Sequence, residues 1–243
     1  MSDCGCLADK TSLNNMKKVF FRMLLFALAW TSASEWANAQ SVSTGGNTLA
    51  ANEFPNYGRI FVSYAPMSFS GDLGEDIDMA NGFALGVQGG WSVSKDVPLY
   101  FESGFNLCYN SHTENENLYG IKLKLTEKIF KLNVPVNLAY RFSVNGAEGI
   151  SIVPYIGLHA TYNISGDVTL KAGGEKLKLD FFDEDDMDLL YLDTANRFQF
   201  GWQIGIGINI KALYLGVGYS AEFTEFLKDV NTGGLTLTLG LNF

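Results

Sequence analysis

The stretch Leu235-Thr236-Leu237-Thr238-Leu239-Gly240-Leu241-Asn242-Phe243 alternates apolar residues with small or polar ones up to the last residue of the sequence. Side chains of a β-strand point to opposite faces in turn, so this pattern predicts a strand with one apolar face and one polar face. The apolar face must contact either a protein core or hydrocarbon, and the rest of the sequence indicates which.

Seven further segments alternate in the same way. They are Gly58–Tyr64, Phe83–Val93, Leu99–Tyr109, Leu132–Phe142, Ile152–Tyr162, Phe198–Ile210 and Leu213–Phe223. In each, the positions opposite the large apolar residues hold small or polar residues. The 26 glycines of the chain contribute heavily to that second face, as expected for the crowded interior of a narrow barrel. A water-soluble barrel would instead place its bulky apolar residues inside and its charged residues outside.

The large apolar residues are therefore predicted to face lipid. In hydrocarbon every backbone donor and acceptor needs a partner, so the sheet must close on itself. The sequence predicts an all-β fold, an eight-stranded antiparallel up-and-down transmembrane β-barrel over residues 57–243.

The connections between these strands alternate in length. Short connections are predicted at 94–97, 143–149 and 211–212, and longer ones at 65–81, 110–118, 165–196 and 224–233. Outer-membrane barrels have short periplasmic turns and long extracellular loops. The pattern places both ends of the mature chain in the periplasm. It also suggests that the third and fourth strands extend beyond the membrane as a hairpin, with an irregularity near Glu127.

The N-terminal region has the pattern of an export signal. Lys17, Lys18 and Arg22 form a basic region around an apolar stretch from Val19 to Trp30, which is too short for a convincing membrane span. The small residues around Ala39 predict cleavage before Gln40. We divide the chain into an upstream extension (1–15), a signal peptide (16–39), an N-terminal periplasmic segment (40–56) and the barrel (57–243). Cys108 is the one cysteine after the predicted cleavage site, which excludes an intramolecular disulfide in the mature chain.

Composition excludes some classes of partner. The chain has a formal net charge of −9, and residues 1–39 carry four basic and three acidic residues, so the acidity persists after cleavage. This charge argues against nucleic-acid binding. The two histidines, His112 and His159, lack the spacing of a transition-metal site, and we expect no metal and no cofactor.

The segment from Ile129 to Phe142, followed by Val153-Pro154-Tyr155-Ile156-Gly157-Leu158, resembles a family of small porin-like outer-membrane β-barrels common in Bacteroidetes. The resemblance implies an architecture like that of the eight-stranded OmpA and OmpX barrels, located in the outer membrane of a Gram-negative cell. It implies no particular activity. The terminal Phe243 is similar to the C-terminal signal that barrel-assembly machinery recognises, which makes that machinery an expected partner, together with outer-membrane lipid and lipopolysaccharide.

Four residues are candidates for a polar network in the lumen. They are Glu102, Arg141, Glu222 and His159. Buried charges need partners, so we expect Glu102 and Arg141 to belong to one network. The network either fills the lumen as a plug or forms a gated salt bridge in a narrow pore, and the small interior of an eight-stranded barrel favours the plug.

The longest predicted loop contains an acidic cluster. Its carboxylates belong to Asp180, Asp183, Glu184, Asp185, Asp186 and Asp188. Clustered carboxylates suit hard cations such as Ca²⁺, although the spacing matches no EF-hand and solvated charge is the alternative. Before the cluster, residues 167–179 predict a β-hairpin turning at 172–174. Phe181 and Phe182 are expected to pack on that hairpin rather than to form an exposed binding patch.

The sequence thus favours a structural or surface-interaction role over enzymatic activity, with external loops available to an unidentified ligand or partner. A small passive pore is the first alternative. An envelope lipid-modifying enzyme, with His159 and a hydroxyl at one lipid-facing site, is the second. A soluble ligand-binding barrel is the third.

Overall fold

The structure is a computed structural model, and it describes residues 54–71, 79–118, 121–144, 149–172, 175–189 and 193–243. The predicted signal peptide, its cleavage site at Ala39 and Gln40, and most of the predicted periplasmic segment lie outside the described residues. So do Gly173 and Gly174 of the predicted hairpin turn. No described helix is long and apolar enough to cross a membrane.

Eleven strands are formed by the described residues. They are β1 (Tyr57–Tyr64), β2 (Ser68–Ser70), β3 (Asn81–Ser92), β4 (Leu99–Leu118), β5 (Ile121–Tyr140), β6 (Phe142–Ser143), β7 (Ile150–Ala172), β8 (Glu175–Asp180), β9 (Phe198–Ile210), β10 (Leu213–Glu222) and β11 (Asn231–Asn242). One short helix, α1, spans Glu184–Asp188. Each of the eight segments predicted from alternation lies largely within one of the long strands.

Eight of these strands close into an antiparallel barrel. The order around the ring is β1-β3-β4-β5-β7-β9-β10-β11, and β1 pairs with β11 to complete it. At the seam Val62 lies opposite Leu239, and Gly58 exchanges two backbone hydrogen bonds of 2.9 Å with Phe243. Closure leaves no free edge within the ring, which satisfies the requirement of a hydrocarbon environment. The predicted fold class is confirmed.

The two faces of the barrel have the predicted polarity. Large apolar residues such as Val62, Phe83 and Leu158 are more than half exposed on the outside. Polar residues such as Gln88 and Asn137 are buried inside. A soluble protein would show the reverse distribution. The outward apolar residues therefore form the lipid-facing belt.

Glycines on the inner face make room for tyrosine rings. A Cβ atom added at Gly207 or Gly216 would collide with or crowd the Tyr214 ring, and one added at Gly205 or Gly218 would collide with the Tyr155 hydroxyl. The tyrosine rings thus occupy space that the glycines leave free. The abundance of glycine in the sequence reflects an interior filled by a few large side chains.

The predicted loop over 110–118 is wrong, because β4 continues through it to Leu118. It pairs with the start of β5 up to Leu118 opposite Ile121. The Thr113 and Thr126 hydroxyls lie 3.3 Å apart across this extension. Above the membrane, water can solvate both faces of a strand, so hydrophobic alternation no longer marks it. The predicted extension of the hairpin is confirmed.

The irregularity expected near Glu127 instead lies in β7. Asn163 pairs with Lys131 and Ser165 pairs with Phe130, so Ile164 is the extra residue of a β-bulge. A bulge shifts the alternation of the strand that carries it. Beyond Ile164, Val168 therefore faces inward and Asp167 faces outward.

The predicted hairpin after this bulge is confirmed by the pairing of β7 with β8 from Asp167–Asp180 to Ala172–Glu175. The chain then folds inward through α1. A cluster of buried apolar residues, here called the extracellular cluster, lies at this end of the barrel; it comprises Met67, Ala80, Ile129, Val168, Phe181, Met187, Ala195 and Phe226. Phe181 packs edge-on against Phe226, with ring centroids 5.8 Å apart. The sequence did not predict that the long loops cover the mouth of the barrel.

Candidate functional site in the barrel interior

A charged pair lies in the barrel near the periplasmic end. Arg59 on β1 is 2% exposed and Glu102 on β4 is 1% exposed. Arg59 Nη2 lies 4.0 Å from Glu102 Oε1. Gln88 joins the two, because its Nε2 donates to Glu102 Oε2 at 3.1 Å and its Oε1 accepts from Arg59 Nη1 at 3.1 Å. The Tyr57 hydroxyl also donates to the Glu102 carboxylate.

Arg59 connects this pair to the opposite side of the barrel. Its guanidinium lies 3.5 Å from the centroid of the Tyr214 ring on β10, and its Nε donates to Asn242 Oδ1 at 2.8 Å. Asn242 Nδ2 in turn donates to Asn209 Oδ1 at 2.8 Å, and Asn209 Nδ2 reaches the Ser151 hydroxyl at 3.0 Å. We call this set of contacts the Arg59 network. It spans the lumen from β4 to β7 and β9.

Arg141, the predicted partner of Glu102, lies just after β5. Its guanidinium stacks on the rings of Tyr57 and Tyr100 at 4.5 and 4.8 Å from their centroids. The ion pair of Glu102 is with Arg59, a residue that the sequence analysis did not single out. The signal was present, because Arg59 alternates with the lipid-facing Ile60 and Val62 and therefore had to point inward.

His159 and Glu222 meet farther up the barrel. His159 Nε2 lies 3.0 Å from Glu222 Oε2, and both side chains are almost fully buried. The Thr161 hydroxyl donates to Glu222 Oε1 at 3.2 Å and accepts from Asn133 Nδ2 at 3.0 Å. The structure thus places Glu102 and His159, two members of the predicted network, in separate groups.

A cavity of about 140 Å³ lies between these groups. Gln88 and Glu102 of the Arg59 network line it, as do His159 and Glu222. Met67 of the extracellular cluster also contributes to its wall. A polar space of this size holds several water molecules, so the interior combines side-chain contacts with room for solvent.

Three carboxylates of the predicted cation cluster bind backbone groups. Asp183 is the N-cap of α1, and its side chain accepts from the amides of Asp185 and Asp186. Asp186 Oδ2 accepts from Asp180 N at 2.8 Å, and Asp180 Oδ1 accepts from Phe182 N at 2.9 Å. The remaining acidic residues, Glu184, Asp185 and Asp188, are exposed. Within the described part of the chain, no group of three or more His, Cys, Asp or Glu side chains is arranged to hold a metal ion.

His112 lies in a strand rather than in the predicted loop, directly opposite Glu127. Both residues lie beyond the end of β3, because Asn81 at that end pairs with Ser111. Burial is the main cause that raises the pKa of the Glu127 carboxyl; Glu114 raises it further, and His112 opposes the shift. The extended hairpin therefore contains one carboxyl whose ionised form is disfavoured by folding.

We expect Glu127→Gln to stabilise the extended hairpin at neutral pH. Because folding raises the pKa of Glu127, ionisation above the unfolded-state pKa weakens the wild-type hairpin. The stability of the wild-type hairpin should rise as the pH falls through the folded-state pKa of Glu127. The difference in stability between the wild type and Glu127→Gln should therefore shrink. Amide hydrogen exchange in β4 and β5, expressed as protection factors at several pH values, measures this. Equal protection of the two proteins at neutral pH would contradict the expectation.

Residues 23–243 match the family described as outer membrane protein beta-barrel domain. A search of curated proteins finds no match.

Several solved structures are similar in fold at low sequence identity. Ail, the attachment invasion locus protein of Yersinia pestis, crystallised in complex with the heparin analogue sucrose octasulfate, is 14% identical, with 77% of this chain and 99% of Ail covered and a TM-score of 0.44. Neisserial surface protein A is 16% identical, with 77% and 97% covered and a TM-score of 0.38. The outer membrane enzyme PagL is 12% identical, with 74% and 98% covered and a TM-score of 0.40.

The family match covers most of the chain, and the closed barrel with its apolar exterior agrees with it. The protein therefore belongs to the outer membrane protein β-barrel domain family and is located in the outer membrane.

Proposed function

We propose that this protein is a non-enzymatic barrel with a structural and surface-interaction role, whose lumen is plugged by its own side chains. The observation that carries the proposal is the Arg59 network, which joins β1, β3 and β4 to β9, β10 and β11 through buried side chains. Such a network leaves the extracellular surface as the part of the molecule that partners can reach.

The plug is consistent with the size of the fold. An eight-stranded barrel has an interior that side chains fill, without a continuous aqueous channel. Passage of an ion past Arg59 and Glu102 would disturb a buried charged pair, and loss of one partner of such a pair costs about 3–5 kcal/mol. The extracellular cluster forms a second obstacle at the other end, where Phe181 and Met187 are buried.

A passive pore is the second candidate. The polar cavity between the two groups supports it, because part of a diffusion path is already present. A pore would require the Arg59 network and the extracellular cluster to open together.

The geometry of His159 supports a non-enzymatic role. The enzyme alternative requires His159 and a hydroxyl at a lipid-facing site. His159 is 4% exposed and contacts Glu222 inside the barrel, and the neighbouring Thr161 hydroxyl also contacts Glu222. A histidine held in this way serves as a buried part of the interior that contacts Glu222.

Single-channel recording in planar bilayers tests the plug. We expect the purified protein to insert without resolvable, sustained conductance steps at high potassium chloride concentration, under conditions in which a general porin gives discrete steps. Insertion is verified independently by protease protection in vesicles of the same lipid. Sustained steps from verified barrels would contradict the plug and support the pore.

We also propose that Phe243 acts as the recognition residue for the barrel-assembly machinery. Its side chain is 54% exposed at the end of the last barrel strand, where a binding partner can reach it during assembly.

A further inference from the structure

β8 and the ends of β5 and β7 that pair beside it form a sheet above the lipid belt. Among the side chains that the structure describes, its outward face carries five lysines, which we call the lysine face: Lys124 and Lys128 on β5, Lys171 on β7, and Lys176 and Lys178 on β8. All five are exposed. We propose that the lysine face binds the phosphate groups of lipopolysaccharide in the outer leaflet. This inference rests on the proposed surface role and assigns it a partner.

The strand register places three of the lysines side by side. Lys124 is directly opposite Lys171, and Lys171 is directly opposite Lys176. Directly opposite residues on neighbouring strands have Cβ atoms about 4.5–5.5 Å apart, and like charges at this distance destabilise a sheet. The chain therefore keeps a row of three ammonium groups at a cost in stability.

Among the described residues, no carboxylate of the same face forms an ion pair with Lys124, Lys171 or Lys176. Lys178 Nζ lies 3.2 Å from Asp167 Oδ1, and this contact is the ion pair that the described residues form on the lysine face. Asp180, opposite Asp167, accepts from the Phe182 amide. The row at Lys124 thus presents positive charge to its surroundings in a chain whose net charge is −9.

The β-bulge at Ile164 brings Lys171 to this face. Without the extra residue, the alternation that places Tyr162 outward would turn Lys171 inward and Val168 outward. With it, Val168 is buried and Lys171 is exposed beside Lys124. The bulge therefore keeps the apolar residues over the barrel and the lysines on its outer side.

The lysine face starts at the polar layer of the membrane and continues outward from it. Phe130 ends the outward apolar series of β5, and Lys128 is the next outward residue. At about 3.3 Å per residue and a tilt of about 45°, Lys128 lies about 5 Å and Lys124 about 14 Å above Phe130. The interfacial layer is about 5–8 Å thick on each side of the hydrocarbon. Lys128 therefore lies within this layer, and the backbone of the row at Lys124 lies about 6–9 Å beyond it, at the level of the phosphate-bearing sugars that lipopolysaccharide extends from the membrane.

Protection of an edge strand accounts for only part of this pattern. Lysines on an exposed edge prevent pairing with other chains, which suits Lys176 and Lys178 on β8. Lys124 and Lys171 lie on strands that are paired on both sides. Because edge protection does not explain Lys124 and Lys171, their position on the outer side above the lipid belt favours contact with anionic lipopolysaccharide.

Titration with lipopolysaccharide tests the proposal. The full-length mature protein and the variant Lys124→Gln/Lys171→Gln/Lys176→Gln are purified in neutral detergent and titrated with rough lipopolysaccharide, and bound lipid is counted by native mass spectrometry. A lysine near an anionic membrane surface contributes about a fivefold gain in affinity. We expect the triple variant to bind on the order of 100-fold more weakly.

A matched control removes the same charge elsewhere. Lys95→Gln/Lys211→Gln/Lys228→Gln changes three exposed lysines outside the lysine face and should bind like the wild type. A heat-dependent gel shift verifies that each variant retains its barrel. Conductance is recorded separately. Sustained conductance would contradict the plug, whereas unchanged lipopolysaccharide affinity in the triple variant would contradict only the lysine face.

Three outcomes would overturn the proposal. The first is wild-type affinity in the triple variant. The second is equal binding of chemically dephosphorylated lipopolysaccharide. The third is equally tight, lysine-dependent binding of a soluble heparin fragment, which would assign the lysine face to a free anionic glycan rather than to lipid.

Discussion

Replacement of Arg59 by methionine is expected to lower the free energy of unfolding of the barrel by about 3–5 kcal/mol. The substitution leaves the Glu102 carboxylate buried without its cationic partner, and it removes the stacking on Tyr214 and the hydrogen bond to Asn242. Tyr57 and Gln88 still donate to Glu102, but neither supplies positive charge. Equilibrium unfolding in urea, followed by tryptophan fluorescence in lipid vesicles, measures the change.

A double variant separates the charge from packing. Arg59→Met/Glu102→Gln removes both charges and keeps an amide oxygen that accepts from Tyr57. Because replacement of a whole buried pair costs far less than removal of one partner, we expect it to recover most of the lost stability. Lys95→Met removes an exposed cation and should change stability by less than about 0.5 kcal/mol. Equal stability of Arg59→Met and the wild type would show that the buried Glu102 carboxylate does not need Arg59 as its cationic partner.

Gly104→Ala is expected to lower the free energy of unfolding by about 3 kcal/mol or more, or to prevent formation of the barrel. A Cβ atom at Gly104 would collide with the carbonyl oxygen of Val87 and approach the Cα atom of Gln88 to 2.7 Å. Both obstacles are backbone atoms of β3, the strand paired with β4 at this point. Rotation of a side chain cannot relieve the collision, so the two strands must separate or the pairing must break.

Gly240→Ala is the matched control on another barrel strand. There the nearest atom to a new Cβ would be the Ile60 carbonyl oxygen at 3.1 Å, which a shift of a few tenths of an ångström relieves. The fraction of heat-modifiable protein on gels and the urea midpoint should fall steeply for Gly104→Ala and little for Gly240→Ala. Similar behaviour of the two variants would contradict the close approach of β3 and β4.

Alternation predicts the membrane-spanning part of this fold well because lipid imposes a strict rule. A residue such as Ile60 must be apolar on the outside, and its neighbour Arg59 then points inward. Above the lipid belt the rule no longer applies, so residues 110–118 resembled a loop although they form the end of β4. The bulge at Ile164 is set by pairing between β5 and β7, which a single strand pattern does not reveal.

The sequence predicts which side chains face the lumen but not which of them contact one another. The sequence indicated that Glu102 and His159 face the lumen, and the structure buries both. Which residues meet depends on the stagger of strands around the ring, and this stagger brings Arg59 to Glu102 and His159 to Glu222. The acidic loop also contains a pattern typical of a helix start, because aspartate is a common N-cap and Asp183 precedes the helix Glu184–Asp188.

β1 and β11 pair to close the ring of eight strands. Cysteines at Val62 and Leu239, which face each other across this seam, test it most directly in a mature chain that also carries Cys108→Ser. The account predicts efficient oxidation to a disulfide in the folded protein, a cross-linked chain of altered mobility on boiled non-reducing gels, and normal mobility after reduction. Failure of the pair to cross-link in protein that has a heat-modifiable folded band would contradict the closed ring.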